Sequence, residues 1–375
     1  AFRYLTPQAQ GAMVGNILPK DRAYGQFLRQ NNLDNASTRW DIQWKESRQL
    51  GSPQLTWQVD ARQLSDSYYL QDFSTNLERM TERQILREGM IAYTTPHWLL
   101  DAKVQSYQTL HPINETPVAN AYERLPQLLA LGEYDALPLE TQFKFTGTFD
   151  YFRWPTALTY SPDALRYHAN PILSWERRQS FGYITPAVQW VGNAYQFPGQ
   201  QGVTSRQVDV SLPRYSLDTG VTFERAATHW TQTLEPRLYY LNVPYHNQSQ
   251  VPAFDAGYMI FTTNQVFRDN RFSGFDRIGD ANQLGYGVTT RFLSTASGQE
   301  RLSLTAAQLR YFSDRKVFLC DAPGGVCTQD PMTLGFLSPK ESFSPIAANM
   351  TYRVDESWSL VGDYAWDPAT SATNN

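Results

Sequence analysis

Few residues of this 375-residue chain have types and spacings that could do covalent chemistry. Cys320 and Cys327 flank Asp-Ala-Pro-Gly-Gly-Val, a turn-rich spacer that can bring two thiols into disulfide range where the compartment is oxidising. The alternative is a pair of free thiols. A zinc site would need further ligands close by, and none stands near them in sequence. Five histidines, His97, His111, His168, His229 and His246, are available as bases for a Ser-His-Asp hydrolase. Yet His97 and His229 fall at short turns, His111 and His246 lead into long connections, and His168 has no serine elbow beside it. No phosphate-cradling loop, metal-ligand cluster or catalytically spaced redox pair appears, so no cofactor is expected.

The densest polar stretch is NRFSGFDRIGDANQ, Asn270 to Gln283. Arg271, Asp276, Arg277, Asp280, Asn282 and Gln283 can pair with one another or with a polar partner, and Gly274 and Gly279 permit a tight backbone path. Read from the residues alone, a solvated loop is the simpler account, because exposed ion pairs contribute about 0–1 kcal/mol each.

The elements that must carry these residues are strands. Bulky apolar residues recur on one parity and polar ones on the other, a period of two that excludes a helix for most of the chain. Phe143, Phe145, Phe149 and Tyr151 alternate with Gln142, Lys144, Thr148 and Asp150. The same split sets Leu55, Trp57, Val59 and Ala61 against Asp60 and Arg62, and Tyr215, Leu217, Val221 and Phe223 against Asp218 and Glu224. It returns in Leu284, Tyr286, Val288 and Phe292 against Gln283, Thr289 and Arg291, and in Trp358, Leu360, Tyr364 and Trp366.

Short turns, such as Leu50 to Gln54, Thr94 to His97 and Gly132 to Pro138, alternate with long connections. The long ones include Pro19 to Ser37, Gln63 to Arg83, His246 to Asn282 and Ser313 to Pro345. Eight short and seven long connections predict about sixteen antiparallel strands, and segments of about ten residues suit tilted strands that cross a bilayer. Pro171, Pro186, Pro213, Pro236 and Pro244 fall in or beside strands, where they cannot donate a ladder hydrogen bond.

Composition agrees. Aromatic residues make up 14% of the chain, with 22 Tyr, 20 Phe and 10 Trp, yet only 41% is hydrophobic and the mean hydropathy is -0.48. A lipid face alternating with a wet lumen face, with aromatic belts at the interfaces, accounts for both. No run approaches the roughly 20 apolar residues of a spanning helix. A net charge of -4 and a pI near 5.8 argue against a nucleic-acid partner. The fold expected is therefore all-β, an antiparallel transmembrane β-barrel.

Four stretches resemble one family, the lipopolysaccharide-assembly outer-membrane proteins called LptD. They are Asn270 to Gln283, LEPRLYYLNVPYHNQS from Leu234 to Ser249, FRYLTPQAQGAMVGNILPKDRAYG from Phe2 to Gly25, and PRYSLDTGVTFER from Pro213 to Arg225. The resemblance implies a Gram-negative outer-membrane barrel that releases lipopolysaccharide sideways into the outer leaflet, with a lipoprotein, LptE, plugging its lumen. It implies that residues 1–375 form part of one C-terminal barrel domain, beginning inside the second strand. The periplasmic jellyroll, which meets the lipopolysaccharide bridge proteins, and the first and last barrel strands then lie outside this sequence. Gate and disulfide residues cannot be transferred. By the same resemblance the segment before Gln283 is a loop folded into the barrel against the plug, which makes Asn270, Arg271, Gly274, Asp276, Arg277, Asp280, Asn282 and Gln283 candidate partner contacts. Asp60, Arg62, Lys144, Asp150, Glu224, Arg237 and Arg291 are expected to face the lumen. There they either guide an anionic glycolipid or supply the mixed charge of any wide aqueous barrel.

Three rivals share part of this pattern. A general porin would have the same barrel with an open lumen, and a barrel hydrolase would need a triad assembled in space. A soluble β-sandwich would have to leave a large apolar face in water.

Overall fold

A computed structural model describes residues 1–33, 37–113, 115–116, 118, 120–155, 162–199, 205–319, 340–368 and 372–374. Cys320 and Cys327 lie outside the described residues. Two compact units are distinguished: Ala1–Gly132 with Thr146–Tyr167 and Tyr195–Gln207, and Glu133–Phe145 with His168–Ala194 and Val208–Asn375.

The period of two becomes strand almost throughout. The first strands are β1 (Phe2–Thr6), β2 (Ala9–Leu18), β3 (Arg39–Gln49), β4 (Leu55–Leu64), β5 (Gln84–Thr94), β6 (Trp98–Thr109), β7 (Glu123–Leu137) and β8 (Thr141–Arg153). Next come β9 (Ala164–Trp175), β10 (Arg177–Gln179), β11 (Gly182–Phe197), β12 (Arg206–Val221), β13 (Phe223–Ala226) and β14 (Trp230–Val243). The series ends with β15 (Ala281–Ser294), β16 (Glu300–Tyr311), β17 (Ile346–Arg353), β18 (Ser359–Asp367) and β19 (Ala372–Asn374). They belong to one large antiparallel sheet. Because β10, β13 and β19 are only three or four residues long, sixteen principal strands remain among the described residues, as the turn count predicts. No described helix is long and apolar enough to cross a membrane.

In the first unit, β1 to β7 pair each with the next. In the second, β10 pairs with β11, β12 and β13 with β14, and β14 to β19 each with the next. Register fixes the faces. Leu234 stands opposite Thr290, which stands opposite Leu304 and in turn Met350. Leu234, Leu304 and Met350 are all exposed, as are Leu238, Val288, Tyr352, Leu360 and Tyr364 on the same parity. The opposite parity is screened: Tyr239, Leu241, Ala307, Leu309 and Tyr311 are buried. Over β14 to β16 one face is thus bare and largely apolar while the other is covered.

Two details depart from the sequence reading. β7 runs on to Leu137, so the turn expected at Gly132 to Pro138 is confined to Pro138–Glu140, with Leu139 and Glu140 at positive φ. The long connections also carry helices that strand periodicity does not reveal: α1 (Arg22–Gln30), α2 (Tyr69–Phe73), α3 (Leu77–Met80) and α4 (Thr263–Val266). Asp21 caps α1, its side chain accepting the backbone N–H of Tyr24 at 2.9 Å.

Candidate functional site

What covers the second unit's polar-parity face is the connection between β14 and β15, residues 244–280. Its descent is fitted to glycines. A Cβ on Gly285 would lie 2.5 Å from the Val266 carbonyl oxygen, and one on Gly287 would meet Ala307 at 2.7 Å and the Phe267 ring at 3.0 Å. Only bare backbone at these positions lets α4 lie on β15. Val266 packs with Ala307, Leu309 and Tyr311, and Phe261 and Phe267 join from the edge. The Arg237 guanidinium sits 4.4 Å from the Phe267 ring centroid, and Arg214 of β12 holds Asp269. Farther along, Phe275 stacks on His168 of β9 at 4.2 Å, and its carbonyl accepts from Asn193 of β11 at 2.7 Å.

Within this segment the predicted polar residues bond one another. Asn270 donates to the Arg277 carbonyl at 2.8 Å and accepts the Gly279 N–H at 2.9 Å. Arg271 pairs with Asp280 at 2.8 Å. Asp276 accepts the Asp255 N–H at 2.7 Å. Gly274 has φ +64, and a Cβ there would strike Asp255 at 2.4 Å, so glycine is required twice over. Asn282 accepts the Tyr240 hydroxyl at 3.0 Å, on the apolar face. Gln283 is buried between Leu241 and Tyr311 in the ladder. Asp276, Arg277 and Asp280 are buried too. The solvated-loop account fails here, since the charges are internal clamps rather than a wet rim.

The sequence reading missed the second half of the clamp. Arg277 donates to the carbonyls of Phe318, at 3.1 Å, and Val251. Arg271 donates to the Val317 carbonyl at 2.6 Å. The Asp280 carboxylate accepts the N–H groups of Lys316 and Val317 at 2.8 and 3.0 Å. The connections after β14 and after β16 are therefore interlocked by backbone-directed bonds, which leave no side-chain pattern in the residues 316–318 that receive them. The start of the connection, Pro244 to Asn247, is exposed, and between Val251 and Asp280 the exposed residues are Ile260, 82% accessible, Asn264, Arg268 and Gly274.

Beside α4 the same face opens into a cavity of about 730 Å³, lined by hydroxyls, amides and charges that include Glu235, Thr289, Arg291, Thr305, Asn349 and Asp363. Its cations are already matched. Arg237 bonds Asp218 at 2.9 and 2.6 Å, and Arg291 reaches Glu235 at 3.2 Å and Glu300 at 2.7 Å. Lys144 is paired with Glu133 at 2.5 Å. Glu224 is exposed, opposite Thr233 in β14. In the first unit Asp60 pairs with Lys45 at 2.7 Å, and Arg62 takes Asp41 in a two-pronged grip at 3.0 Å. Asp150 is buried with Arg166 at 2.8 Å. Six of the seven expected lumen charges are thus paired locally with an opposite charge.

A further cluster in the first unit went unread in the sequence. Arg39, buried at the start of β3, is held by Asp21, Asp66 and Asp72 at 3.2, 2.9 and 2.6 Å, with its guanidinium 4.2 Å from the Tyr24 ring centroid. The Tyr24 backbone N–H, with Arg39 adding to it against the effect of burial, holds the Asp21 carboxyl below the usual range. Burial and the nearby acids push the Tyr24 phenol up to about 12. This knot joins the connections after β2 and β4.

Comparison with known proteins bears on what such a sheet belongs to. Residues 37–375 match the family described as "LptD: LPS transport system D". The chain is 49% identical to the LPS-assembly protein LptD of Legionella pneumophila over its whole length, covering 46% of that protein. It is 37% identical to the namesake of an Azoarcus species, over 84% of this chain and 38% of the relative. With that of Pseudomonas aeruginosa it shares 32%, over 100% of this chain and 44% of the relative. The chain spans about half the length of these curated relatives. Antiparallel strands throughout, a bare apolar face, a polar face filled by its own connection, and matches over nearly the entire sequence lead to one assignment: the chain belongs to the LptD family.

Proposed function

We propose that this chain is barrel wall of an outer-membrane protein that transports lipopolysaccharide and inserts it into the outer leaflet, acting with a lipoprotein plug and without catalysing a reaction. The observation that carries the reading is the division of labour between the two faces. Leu234, Leu238, Leu304 and Met350 lie bare on one, as a lipid-facing wall requires. The other is filled by the folded-in segment, docked through Val266, Phe267, Asp269 and Phe275. An open, unselective solute channel would conduct less with its lumen filled in this way.

In this proposal the candidate residues Asn270, Arg271, Gly274, Asp276, Arg277, Asp280, Asn282 and Gln283 act on the partner indirectly. Those from Asn270 to Asp280 hold the segment rigid, Asn282 and Gln283 anchor its end in β15, and the contact surface is Ile260 with Asn264 and Arg268. Photocrosslinking in living cells tests this, with the photoreactive residue at Ile260 in the full-length protein and at Phe275 as an interior control. Lipoprotein adducts from Ile260 and none from Phe275 are expected. A blank at both positions, with fast unselective sugar uptake by the purified protein, would move the reading to a general porin.

A further inference from the structure

The bare face of β14, β15 and β16 carries several polar side chains, and nearly all of them are satisfied within the protein. Gln232 donates to Thr290 at 3.0 Å, and the Thr290 hydroxyl donates to the Thr233 carbonyl at 2.8 Å. Tyr240 bonds Asn282 at 3.0 Å, Tyr286 donates to Gln308 at 2.5 Å, and Gln308 donates to the Ser344 carbonyl at 2.8 Å. That is what a wall facing hydrocarbon must do, because lipid tails offer no hydrogen bonds.

Arg310 departs from the pattern. It shares the outward parity, standing opposite Leu284, which stands opposite Tyr240. Its guanidinium carbon lies 4.4 Å from the ring centroid of Phe343, itself 47% exposed, and no ion pair or side-chain hydrogen bond accompanies that contact among the described residues. Four arginines of the covered face hold carboxylates: Arg214 with Asp269, Arg237 with Asp218, Arg271 with Asp280, and Arg291 with Glu235 and Glu300. An aromatic seat orients a guanidinium without neutralising it.

Height along the strand decides what such a group can meet. From Leu302, level with the exposed Tyr352 and Leu360 rows, to Arg310 the strand rises about 26 Å at roughly 3.3 Å per residue. A tilt of 35–45° reduces that to about 20 Å, against an apolar band about 25 Å tall. Arg310 therefore stands near the edge of the band on the side of the long connections, where an arginine costs little and reaches headgroups rather than tails.

We infer that Arg310, seated on Phe343, is a binding site on the outward wall for a phosphate-bearing lipid headgroup of the leaflet on the long-connection side. The inference rests on the barrel reading above but does not require that the bound lipid be the one in transit. The five donors of a guanidinium suit a phosphate, and the site needs no other cation because the lipid tail supplies the rest of the affinity along Leu284, Val288 and Leu304.

The test uses full-length protein in mild detergent. It is titrated with the phosphorylated lipid part of lipopolysaccharide, with its dephosphorylated counterpart and with inorganic phosphate, and bound lipid is counted by native mass spectrometry. Arg310→Gln should retain the phosphorylated lipid about five-fold less well than the unaltered protein, the loss of about 1 kcal/mol typical of one basic side chain at an anionic surface. Arg310→Lys should fall between them, and Arg301→Gln, at the other end of β16, should retain it fully. The dephosphorylated lipid should bind all variants alike. Displacement of the lipid by millimolar inorganic phosphate would identify a free-anion site and overturn the lipid assignment, and equal retention in every variant would overturn the site itself. If Arg310→Gln lost the folded, heat-modifiable gel form, Phe343→Leu would serve instead, with the same loss expected. Lipopolysaccharide delivery to the cell surface, measured in parallel, separates the two readings. Intact delivery with unchanged lipid retention sinks only this inference, whereas lost delivery on disrupting the Ile260 surface bears on the transport reading.

Discussion

The carboxylate of Asp150 and the guanidinium of Arg166 lie 2.8 Å apart, with both side chains wholly screened from solvent. Thr148 and Gln127 also donate to the same carboxylate, and Arg166 lies 4.8 Å from the Phe152 ring centroid. Three neighbouring strands, β7, β8 and β9, are joined at this point.

Removing one member strands a buried charge. Arg166→Ala or Asp150→Ala should destabilise the protein by about 3–5 kcal/mol, whereas replacing both by apolar residues of similar volume should recover most of the loss. Denaturant titration followed by tryptophan fluorescence measures each. Near-additive losses in the double variant would show that the pair is not the connection described.

Docking of the folded-in segment should depend on Gly285 more than its size suggests. A Cβ there would press to 2.5 Å from the Val266 carbonyl, an overlap that only movement of α4 relieves. Gly285→Val should expose residues 252–268 to limited proteolysis at least ten-fold faster while leaving the sheet's circular dichroism unchanged. Unaltered cleavage would mean that the segment is held elsewhere, at Asp269 or Phe275.

Acid should loosen the cap over the first unit before the sheet. The folded-state pKa of Asp21 is lowered, so its contribution is fully present above the unfolded value, near 4, and is lost as the pH falls through the lower folded value. Amide exchange in α1 should accelerate in that acid window. Asp21→Asn keeps the cap and removes the charge, so it should exchange faster at neutral pH and show a flatter pH profile. A profile identical to that of the unaltered protein would exclude Asp21 as the titrating group.

The interlock between the two long connections predicts coupled behaviour. Asp280→Ala removes the acceptor of Arg271 and of two N–H groups, those of Lys316 and Val317, and should cost about 2–4 kcal/mol through the unsatisfied groups it leaves. Hydrogen exchange should rise together in residues 270–280 and 313–319. A rise confined to the first segment would refute the interlock.

The residues alone determined the alternating faces, the antiparallel pairing and the strand number, because hydration acts locally. A side chain that faces water or lipid is sorted by its own parity, and short turns force neighbouring strands to pair. Leu284, Tyr286 and Val288 therefore announced their face, and Asn270 to Gln283 announced itself as unusual through its charge and glycine content. The partners of those charges were not legible. Asn193 meets Phe275 across 82 residues and Arg277 meets Phe318 across 41, and such bonds depend on how two long connections cross. Several end on backbone carbonyls and N–H groups, which every residue possesses. The helices in those connections were hidden for a related reason: α1 owes its position to a cap at Asp21 and to the knot around Arg39, contacts set by the packing of separate loops rather than by any local period. Tertiary structure decided that the polar segment is an internal clamp and that Arg310, on the opposite face, meets no acidic partner among the described residues.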